Sequence, residues 1–375
     1  MASTLKLGNG NWGVKEDSLL AYSDKNNNFL PFPFDFSRAS SATVVNKAGL
    51  IETVQSGISR IDFKDDANGA LLLEPQSTNL VPYSEDFTQW SFGATYITPN
   101  YAISPNGIQN ASRCLFTGAN QLISITTSIS VGVECAASIY IRGVQGETIL
   151  MAVGGVDSIH TLNGNWQRIQ ATKTSINSSM LIGTFGGVTA RDILIWGAQL
   201  EQQSYPTSYI PTSGASSTRL QDIATNSGNA SLINSTGGVL YAEVAALDTT
   251  DNSFRFISLS DGNQNNVVKF VFYLNAVYAE TVVNGVNQGQ TSYTFPNISA
   301  FNKIGFKWKE NDFSLWVNGV EVSIDTNGTV LAANTLTNLS FDRGDGVNPF
   351  YGKTKALAVY KTALTDAELA ELTTI

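Results

Sequence analysis

Charged residues are scarce in this sequence, and positively charged residues are the scarcer sign. Asp, Glu, Lys and Arg make up 14% of the 375 residues, with 22 Lys and Arg against 31 Asp and Glu, so the formal net charge is -9. Phosphate groups and anionic lipid headgroups are bound by clustered Lys and Arg. No basic run is present, so we expect neither a nucleic-acid partner nor a membrane partner.

Long apolar runs are missing as well. The longest apolar stretches, such as residues 269–283, are interrupted by polar residues, whereas a membrane-spanning helix needs about 20 consecutive apolar residues. The segment from Met1 to Gly10 contains no apolar core of signal-peptide length. We therefore expect no transmembrane span and no secretory signal.

Histidine and cysteine are almost absent, which removes several kinds of catalytic and metal site. His160 is the only histidine, so a Ser-His-Asp or Cys-His arrangement would have to include it. Cys114 and Cys135 are the two cysteines, and Cys135 alternates with polar positions in a pattern typical of a buried strand residue. Zinc needs three or four such ligands, so no zinc site is predicted. A disulfide between the two cysteines stays open.

Clustered carboxylates are also lacking. Glycoside hydrolysis needs two carboxylates roughly 5 to 9.5 Å apart, and counting residues cannot exclude it. The Glu-x-Asp-x-x-Glu pattern of β-sandwich glucanases does not occur, and Glu243 and Glu280 are isolated on their predicted strands. We expect no catalytic residue and predict that the protein is not an enzyme.

The sequence is rich in short strand patterns separated by turn residues. Runs such as 136–141 and 166–173 alternate apolar and polar residues, with Gly, Asn or Pro between them. Asn-Gly pairs at 284–285 and 318–319 predict β-hairpins. One helix is indicated near the end, where Thr365 and Glu368 form a capping-box pattern. The predicted class is all-β, with two tandem antiparallel β-sandwich (jelly-roll) domains, an N-terminal extended arm and one short C-terminal helix.

Pro, Gly and Ser divide the predicted elements into segments. The stretch around Pro206, Pro211 and Gly214 is the best domain boundary. The arm is interrupted by Pro31 and Pro33 and serves either as an anchor or as a poorly ordered leader. The predicted segments are an arm at 1–35, a β-hairpin lead-in packed on the first jelly roll at 36–81, that jelly roll at 82–212, a linker at 213–236 and a second jelly roll at 237–375.

Aromatic and polar loop residues are the candidates for binding a glycan, because sugar rings stack on aromatic faces and sugar hydroxyls bond to amide and charged groups. The candidates are Asp342, Arg343, Asn348, Phe350, Tyr351 and Trp90. No cofactor is predicted. Calcium, which takes loop oxygens, is left open at Asp248, Asp251 and Asp261, against the alternative that these are solvated loop carboxylates.

Three groups of residues carry a resemblance to a known class of proteins. They are Phe36 to Thr43 with Gly49 to Thr53; Arg60 to Phe63 with Gly69 to Glu74, Thr78 to Leu80, Tyr83 to Phe87 and Trp90; and Trp196 to Glu201 with Tyr205 to Thr212. Together they resemble structural proteins of tailed bacteriophages, of the tail-fibre and virion-appendage kind, in which they flank a module similar to carbohydrate-binding jelly rolls. The resemblance covers roughly residues 36–225.

The remainder resembles the concanavalin-like lectin and laminin-G class. The hairpin from Phe313 to Val320 resembles a hairpin of that class, and the segment from Gly352 to Leu369 resembles its final strand and closing helix. Legume lectins need a histidine at their metal site, and this region has none. The resemblance therefore implies the fold, while sugar recognition in the legume-lectin manner is not expected.

The phage resemblance implies a virion protein, assembled in the host cytoplasm and released by lysis, that is a fibre, tail or head appendage subunit contacting host surface glycans through its jelly rolls. Its expected partners are other virion proteins, host surface polysaccharide and further copies of itself, with a trimer as the first expectation by analogy with phage fibres. The alternatives are a purely structural virion decoration subunit and a depolymerase of capsular polysaccharide.

Overall fold

The computed structural model describes residues 3–9, 12–15, 18–23, 30–93, 95–185, 189–247 and 252–375. Antiparallel strands dominate these residues, which confirms the predicted all-β class. One α-helix, α1 (Asp366–Thr373), begins after the N-cap Thr365, and the predicted capping box with Glu368 is formed. A short 3₁₀ helix spans Phe87–Gln89.

The strands are named in chain order. The first sixteen are β1 (Leu5–Gly8), β2 (Gly13–Lys15), β3 (Ser18–Ser23), β4 (Leu30–Pro33), β5 (Asp35–Ser37), β6 (Ala42–Val45), β7 (Ile51–Val54), β8 (Arg60–Asp62), β9 (Ala70–Leu73), β10 (Ser77–Asn79), β11 (Ser91–Gly93), β12 (Thr95–Ala102), β13 (Ala111–Phe116), β14 (Leu122–Thr126), β15 (Glu134–Arg142) and β16 (Thr148–Val153). The others are β17 (Val156–Thr161), β18 (Gln167–Thr174), β19 (Ser179–Gly183), β20 (Arg191–Glu201), β21 (Ser217–Arg219), β22 (Ile223–Thr225), β23 (Gly237–Ala246), β24 (Arg255–Ser260), β25 (Val267–Tyr273), β26 (Ala276–Val283), β27 (Val286–Thr294), β28 (Asn302–Lys309), β29 (Phe313–Val317), β30 (Val320–Asp325), β31 (Asn338–Ser340) and β32 (Gly352–Tyr360).

The chain forms two compact units that are interleaved in sequence. The terminal unit consists of residues 1–39, 56–75 and 221–375, and the inserted unit consists of residues 40–55 and 76–220. This division differs from the predicted boundaries. Part of the lead-in and part of the predicted linker belong to the terminal unit, because strands β8 and β9 join its large sheet through the pairing of β9 with β32.

The inserted unit is a β-sandwich. One five-stranded sheet has the order β11-β14-β19-β16-β17 and the other the order β12-β13-β20-β15-β18. Alternate residues of both sheets, such as Ile139 and Ile195 from one and Ile149 and Ile182 from the other, lie in one buried cluster. The jelly roll predicted from strand spacing therefore lies in this unit.

The terminal unit contains an eleven-stranded sheet and a five-stranded sheet of order β27-β26-β25-β24-β31. Side chains from both, among them Leu240 and Phe306 from the large sheet and Leu259 and Phe270 from the small one, form a single core. Helix α1 packs on the opposite side of the large sheet through Leu369.

The predicted N-terminal arm is wrong for the residues that the structure describes. Strand β1 pairs with β32, and the side chains of Leu5 and Leu7 are fully buried in the core of the terminal unit. Their spacing of two residues places both on the core face of a strand. Burial of these leucines, rather than the polar composition around them, decides the conformation here.

The predicted hairpins are confirmed. Strands β6 and β7 pair around the turn at 46–49, and the Asn-Gly pairs join β26 to β27 and β29 to β30. Asn284 and Asn318 both have positive φ, as these turns require. Cys114 and Cys135 are buried free thiols, and burial raises the pKa of each; no disulfide joins them.

Candidate functional site

The predicted glycan-binding loop at 342–351 is held tightly in the terminal unit. Asp342 is 2% exposed, and its Oδ1 accepts a hydrogen bond of 2.5 Å from the Gly344 amide. Burial raises the pKa of Asp342, against the opposing effect of that backbone bond. Arg343 is fixed by two bonds to the Asp345 carboxylate, of 3.1 and 2.7 Å. These charged groups stabilise the loop itself.

The aromatic residues of the same loop face inward. Phe350 is fully buried, and its ring lies 5.1 Å from the ring of Phe272. Tyr351 is 9% exposed and donates a bond of 2.9 Å to the side chain of Gln221. Asn348 is partly exposed and has a φ of 54°. A ring in the core cannot stack on a sugar, so the prediction for Phe350 is wrong; glycan contact by Asp342, Arg343, Asn348 and Tyr351 stays a prediction.

Trp90, the candidate in the inserted unit, is also buried. It is 2% exposed, its ring packs 5.1 Å from that of Phe87, and its Nε1 donates to the Tyr83 carbonyl at 3.0 Å. Asp86 caps the 3₁₀ helix that places Phe87 and Trp90 in the core. The prediction of Trp90 as a sugar platform is wrong for the same reason.

Calcium binding at Asp248, Asp251 and Asp261 stays a prediction, because only Asp261 lies within the described residues. Asp248 and Asp251 lie outside them, and Asp261 accepts a bond of 3.0 Å from Asn266. Within the described ranges, no group of three or more His, Cys, Asp and Glu side chains is arranged to hold a metal ion. His160 lies on β17, an edge strand of the inserted unit, where burial and Lys173 lower its pKa.

Several residues of the phage-like motifs meet in a buried hydrogen-bond network in the inserted unit. Glu201 is its centre: it is fully buried and accepts bonds from Ser77 at 2.5 Å, Gln199 at 2.6 Å and the backbone and hydroxyl of Thr207 at 2.9 and 2.5 Å. Burial raises the pKa of Glu201, and the hydrogen bonds oppose that rise. We call these residues, with Asn79, the Glu201 network.

Asn79 extends the network by joining two separate segments. Its Nδ2 donates to the carbonyls of Ala198 and Ile210 at 3.1 and 2.8 Å, and its Oδ1 accepts from the Leu200 amide at 3.1 Å. All of these groups are internal, so their bonds satisfy polar atoms that burial would otherwise leave unpaired. The motif residues therefore stabilise the fold.

Three further motif residues, Arg38, Arg60 and Glu74, form a buried ionic cluster with Asp222 in the terminal unit. Asp222 pairs with Arg38 at 3.0 Å and with Arg60, and Arg60 also pairs with Glu74 at 2.7 Å. Burial alone would lower the pKa of Arg60, but Glu74 and Asp222 outweigh it and the pKa is raised. We call Arg38, Arg60, Glu74 and Asp222 the Asp222 cluster. It too is structural.

Exposed aromatic and charged side chains lie elsewhere, on the outer face of one sheet of the inserted unit. Side chains alternate between the two faces of a strand, so every second residue of β12, β13, β20 and β15 faces away from the core. A cluster around Trp196, Ile51 and Tyr209 covers one part of this side. We call the uncovered part the open face; it consists of Tyr96, Thr98, Tyr101, Arg113, Leu115, Asp192, Leu194 and Arg142.

The open face carries two exposed tyrosines and an ion pair that is joined by two hydrogen bonds. Tyr96 is 66% exposed and Tyr101 is 52% exposed. Arg113 binds both carboxylate oxygens of Asp192, at 2.8 and 2.6 Å, and its guanidinium lies 5.3 Å from the ring centre of Tyr101. Exposed rings can stack on sugars, and a fixed guanidinium and carboxylate can bond to hydroxyls. Sequence reasoning missed this site, although Pro99 was a usable sign of an edge strand.

A shallow cleft of about 330 Å³ lies in the inserted unit, lined by Tyr83, Glu85, Asp86, Pro211, Thr212 and Ser213. Both of its carboxylates are engaged. Glu85 accepts bonds from the Tyr209 hydroxyl at 2.8 Å and from Asn110 at 3.0 Å, and Asp86 accepts from the amide and hydroxyl of Thr88. These carboxylates order the surrounding backbone, so the open face is the better candidate for binding a ligand.

Comparison with known proteins gives a likeness in fold. No protein-family model matches the chain, and no curated protein matches it. Solved structures that resemble it include the carbohydrate-binding domain (CBM40) of the Ruminococcus gnavus intramolecular trans-sialidase bound to α2,3-sialyllactose, which is 17% identical, with 40% of this chain and 94% of that chain covered and a TM-score of 0.33. Domains LG4-5 of the mouse laminin α1 chain are 10% identical, with coverages of 68% and 93% and a TM-score of 0.24.

A sialidase is also among the similar structures. The Trypanosoma rangeli sialidase in complex with the inhibitor DANA is 9% identical, with 94% of this chain and 81% of that chain covered and a TM-score of 0.28. The prediction that this chain is not an enzyme is thereby contradicted and is withdrawn. At this identity and TM-score the likeness assigns no activity. Among the described residues, none of the helices has the length and apolar composition that a membrane span requires.

Proposed function

We propose that this chain is a structural subunit of a bacteriophage virion that contacts host surface glycans through the open face. The observation that carries the glycan part is the pair of tyrosines on β12, each more than half exposed beside the Arg113–Asp192 pair. Large exposed aromatic side chains grouped on one face of a soluble protein are a sign of a binding surface. The virion part rests on the sequence resemblance of residues 36–225.

The composition supports the same proposal. Only 14% of the residues are charged, so much of the surface carries hydroxyl and amide groups, which suit ligands that present many hydroxyls. Such a surface also suits protein packing in a symmetric assembly. A decoration subunit without glycan binding is therefore the alternative that the experiment has to distinguish.

The test is sedimentation of the purified protein with intact bacterial host cells, before and after their surface polysaccharide is removed. We expect saturable binding that is lost when the polysaccharide is removed. The double substitution Tyr96→Ala and Tyr101→Ala should weaken binding at least ~10-fold, because stacking on each ring is worth about 1 kcal/mol. Phe254→Ala is the matched control: Phe254 is 46% exposed but lies in the terminal unit.

Each outcome separates the alternatives. Equal binding by the double variant and the wild type would exclude the open face as the glycan site. Absence of saturable binding by the wild type would favour the decoration subunit. Release of reducing sugar ends during the incubation would instead support the depolymerase.

We further propose that the protein forms a homo-oligomer, with a trimer as the first expectation, and that its other partners are virion proteins. Mass measurement in solution by light scattering tests the assembly directly. A monomer at micromolar concentration would show that the chain does not assemble away from the particle.

A further inference from the structure

A second arginine lies on the open face in line with the first. Arg113 is the pairing partner of Leu194, and Leu194 is the pairing partner of Arg142. Paired residues of neighbouring strands point to the same side of a sheet, so both arginines face outward. Two strand spacings separate their backbones, which is about 10 Å.

The two arginines differ in their partners. Both carboxylate oxygens of Asp192 are bonded to Arg113, so this pair is neutral. Arg142 is exposed, and among the described residues no carboxylate forms an ion pair with it. The charged groups of the open face are therefore two guanidiniums and one carboxylate, which leaves one uncompensated positive charge on a protein whose net charge is -9.

The position of Arg142 also bears on ligand size. Tyr96 is on β12 and Arg142 is on β15, with β13 and β20 between them. Three strand spacings, about 14 Å, separate the two strands, and Tyr96 lies two residues along β12 from Thr98, which is the position in line with Arg142. The backbones of Tyr96 and Arg142 are therefore farther apart than the length of one sugar ring. A ligand that stacks on Tyr96 and reaches Arg142 is therefore an oligosaccharide.

We propose that the open face selects an acidic oligosaccharide, in which a sugar carboxylate binds Arg142 while another ring of the same oligosaccharide stacks on Tyr96. This inference rests on the proposed glycan contact and adds the charge class of the ligand. A guanidinium presents two parallel N–H donors that match the two oxygens of a carboxylate. The neutral Arg113–Asp192 pair then bonds to sugar hydroxyls between these two contacts.

The experiment measures binding of the purified 375-residue chain to a panel of immobilised bacterial capsular polysaccharides. Each uronic-acid polymer is used before and after chemical reduction of its carboxyl groups to alcohols, which removes the charge and keeps the sugar backbone. We expect binding to at least one acidic polymer and a loss of at least three-fold when it is reduced.

Two variants test whether Arg142 is the residue that binds the sugar carboxylate. Arg142→Gln should weaken binding to the acidic polymer roughly three- to five-fold, which corresponds to an exposed or partly exposed charge pair, and should leave binding to its reduced form unchanged. Lys47→Gln removes one positive charge from an exposed hairpin turn of the same unit, and it should change neither. Added salt should weaken acidic-polymer binding more in the wild type than in Arg142→Gln.

The possible failures are distinguishable. Equal binding to an acidic polymer and its reduced form, or binding to neutral polymers alone, would overturn the acidic-ligand inference and leave the proposed glycan contact standing. Equal loss in Arg142→Gln and Lys47→Gln would attribute the effect to net charge and would also overturn it. Absence of binding to every polymer would overturn both.

Discussion

Both units contain a buried group of polar side chains that includes motif residues, but the two groups differ in the charges that they contain. In the terminal unit, the Asp222 cluster places two arginines against two carboxylates. In the inserted unit, the Glu201 network surrounds one carboxylate with hydroxyl, amide and backbone donors. One arrangement depends on ion pairing and the other on hydrogen bonding to a single acid.

This difference determines how much unfolding free energy is lost when one member of each group is removed. Removing one member of a buried ionic group leaves an unpaired charge, which is destabilising by about 3 to 5 kcal/mol. Removing one acceptor from a buried hydrogen-bond network leaves unpaired donors, at roughly 1 to 3 kcal/mol. The motif residues in these two buried groups are thus explained by stability, whereas the proposed binding chemistry lies on residues outside the motifs.

The largest expected effect is on the Asp222 cluster. Asp222→Ala removes the carboxylate that pairs with Arg38 and Arg60 and accepts the Glu74 amide at 2.9 Å. We expect the terminal unit to lose about 3 to 5 kcal/mol of unfolding free energy, measured by urea unfolding with hydrogen exchange to assign the transition.

Asp345→Ala is the matched control, because Asp345 also pairs with an arginine of the terminal unit but is partly exposed. It should cost less than about 1 kcal/mol. Equal losses of unfolding free energy in the two variants would show that burial does not make the Asp222 cluster more important for stability than an exposed ion pair.

A smaller effect is expected in the Glu201 network. Glu201→Gln replaces one of the two acceptor oxygens with an NH₂ donor. This donor faces either the Gln199 side chain and the Thr207 backbone N–H or the Ser77 and Thr207 hydroxyls, so bonds that the carboxylate accepts are lost in either orientation. We expect a loss of about 1 to 3 kcal/mol at neutral pH, seen as a lower urea midpoint of the inserted unit. A loss as large as that of Asp222→Ala would remove the distinction between the two buried groups.

The pH dependence of stability provides a second test of the Glu201 network. Burial raises the pKa of Glu201 in the folded protein, so the folded state holds this proton at pH values where the unfolded chain has released it. The contribution of Glu201 to stability is therefore complete below the unfolded pKa and falls as the pH rises towards the folded pKa. The stability difference between wild type and Glu201→Gln should shrink between pH 4 and pH 7; a difference that grows would mean that the hydrogen bonds outweigh burial.

Local patterns in the sequence predicted most strands because they are set by neighbouring residues. The Asn-Gly turns and the capping box at Thr365 have short-range causes. The interleaving of the two units could not be predicted this way, because β9 pairs with β32, some 280 residues later in the chain. The burial of Phe350 likewise depends on distant neighbours such as Phe272, so an aromatic residue of a predicted binding loop proved to belong to the core.

The smallest effect on stability is expected on the open face, where the Arg113–Asp192 pair is the exposed counterpart of the Asp222 cluster. Their side chains are 32% and 52% exposed, so water screens the pair and Asp192→Asn should cost less than about 1 kcal/mol. The same substitution frees Arg113 from its carboxylate and should alter glycan binding in the cell-sedimentation assay while the urea midpoint stays within error. A marked drop in the midpoint without a change in binding would place this pair with the structural groups instead.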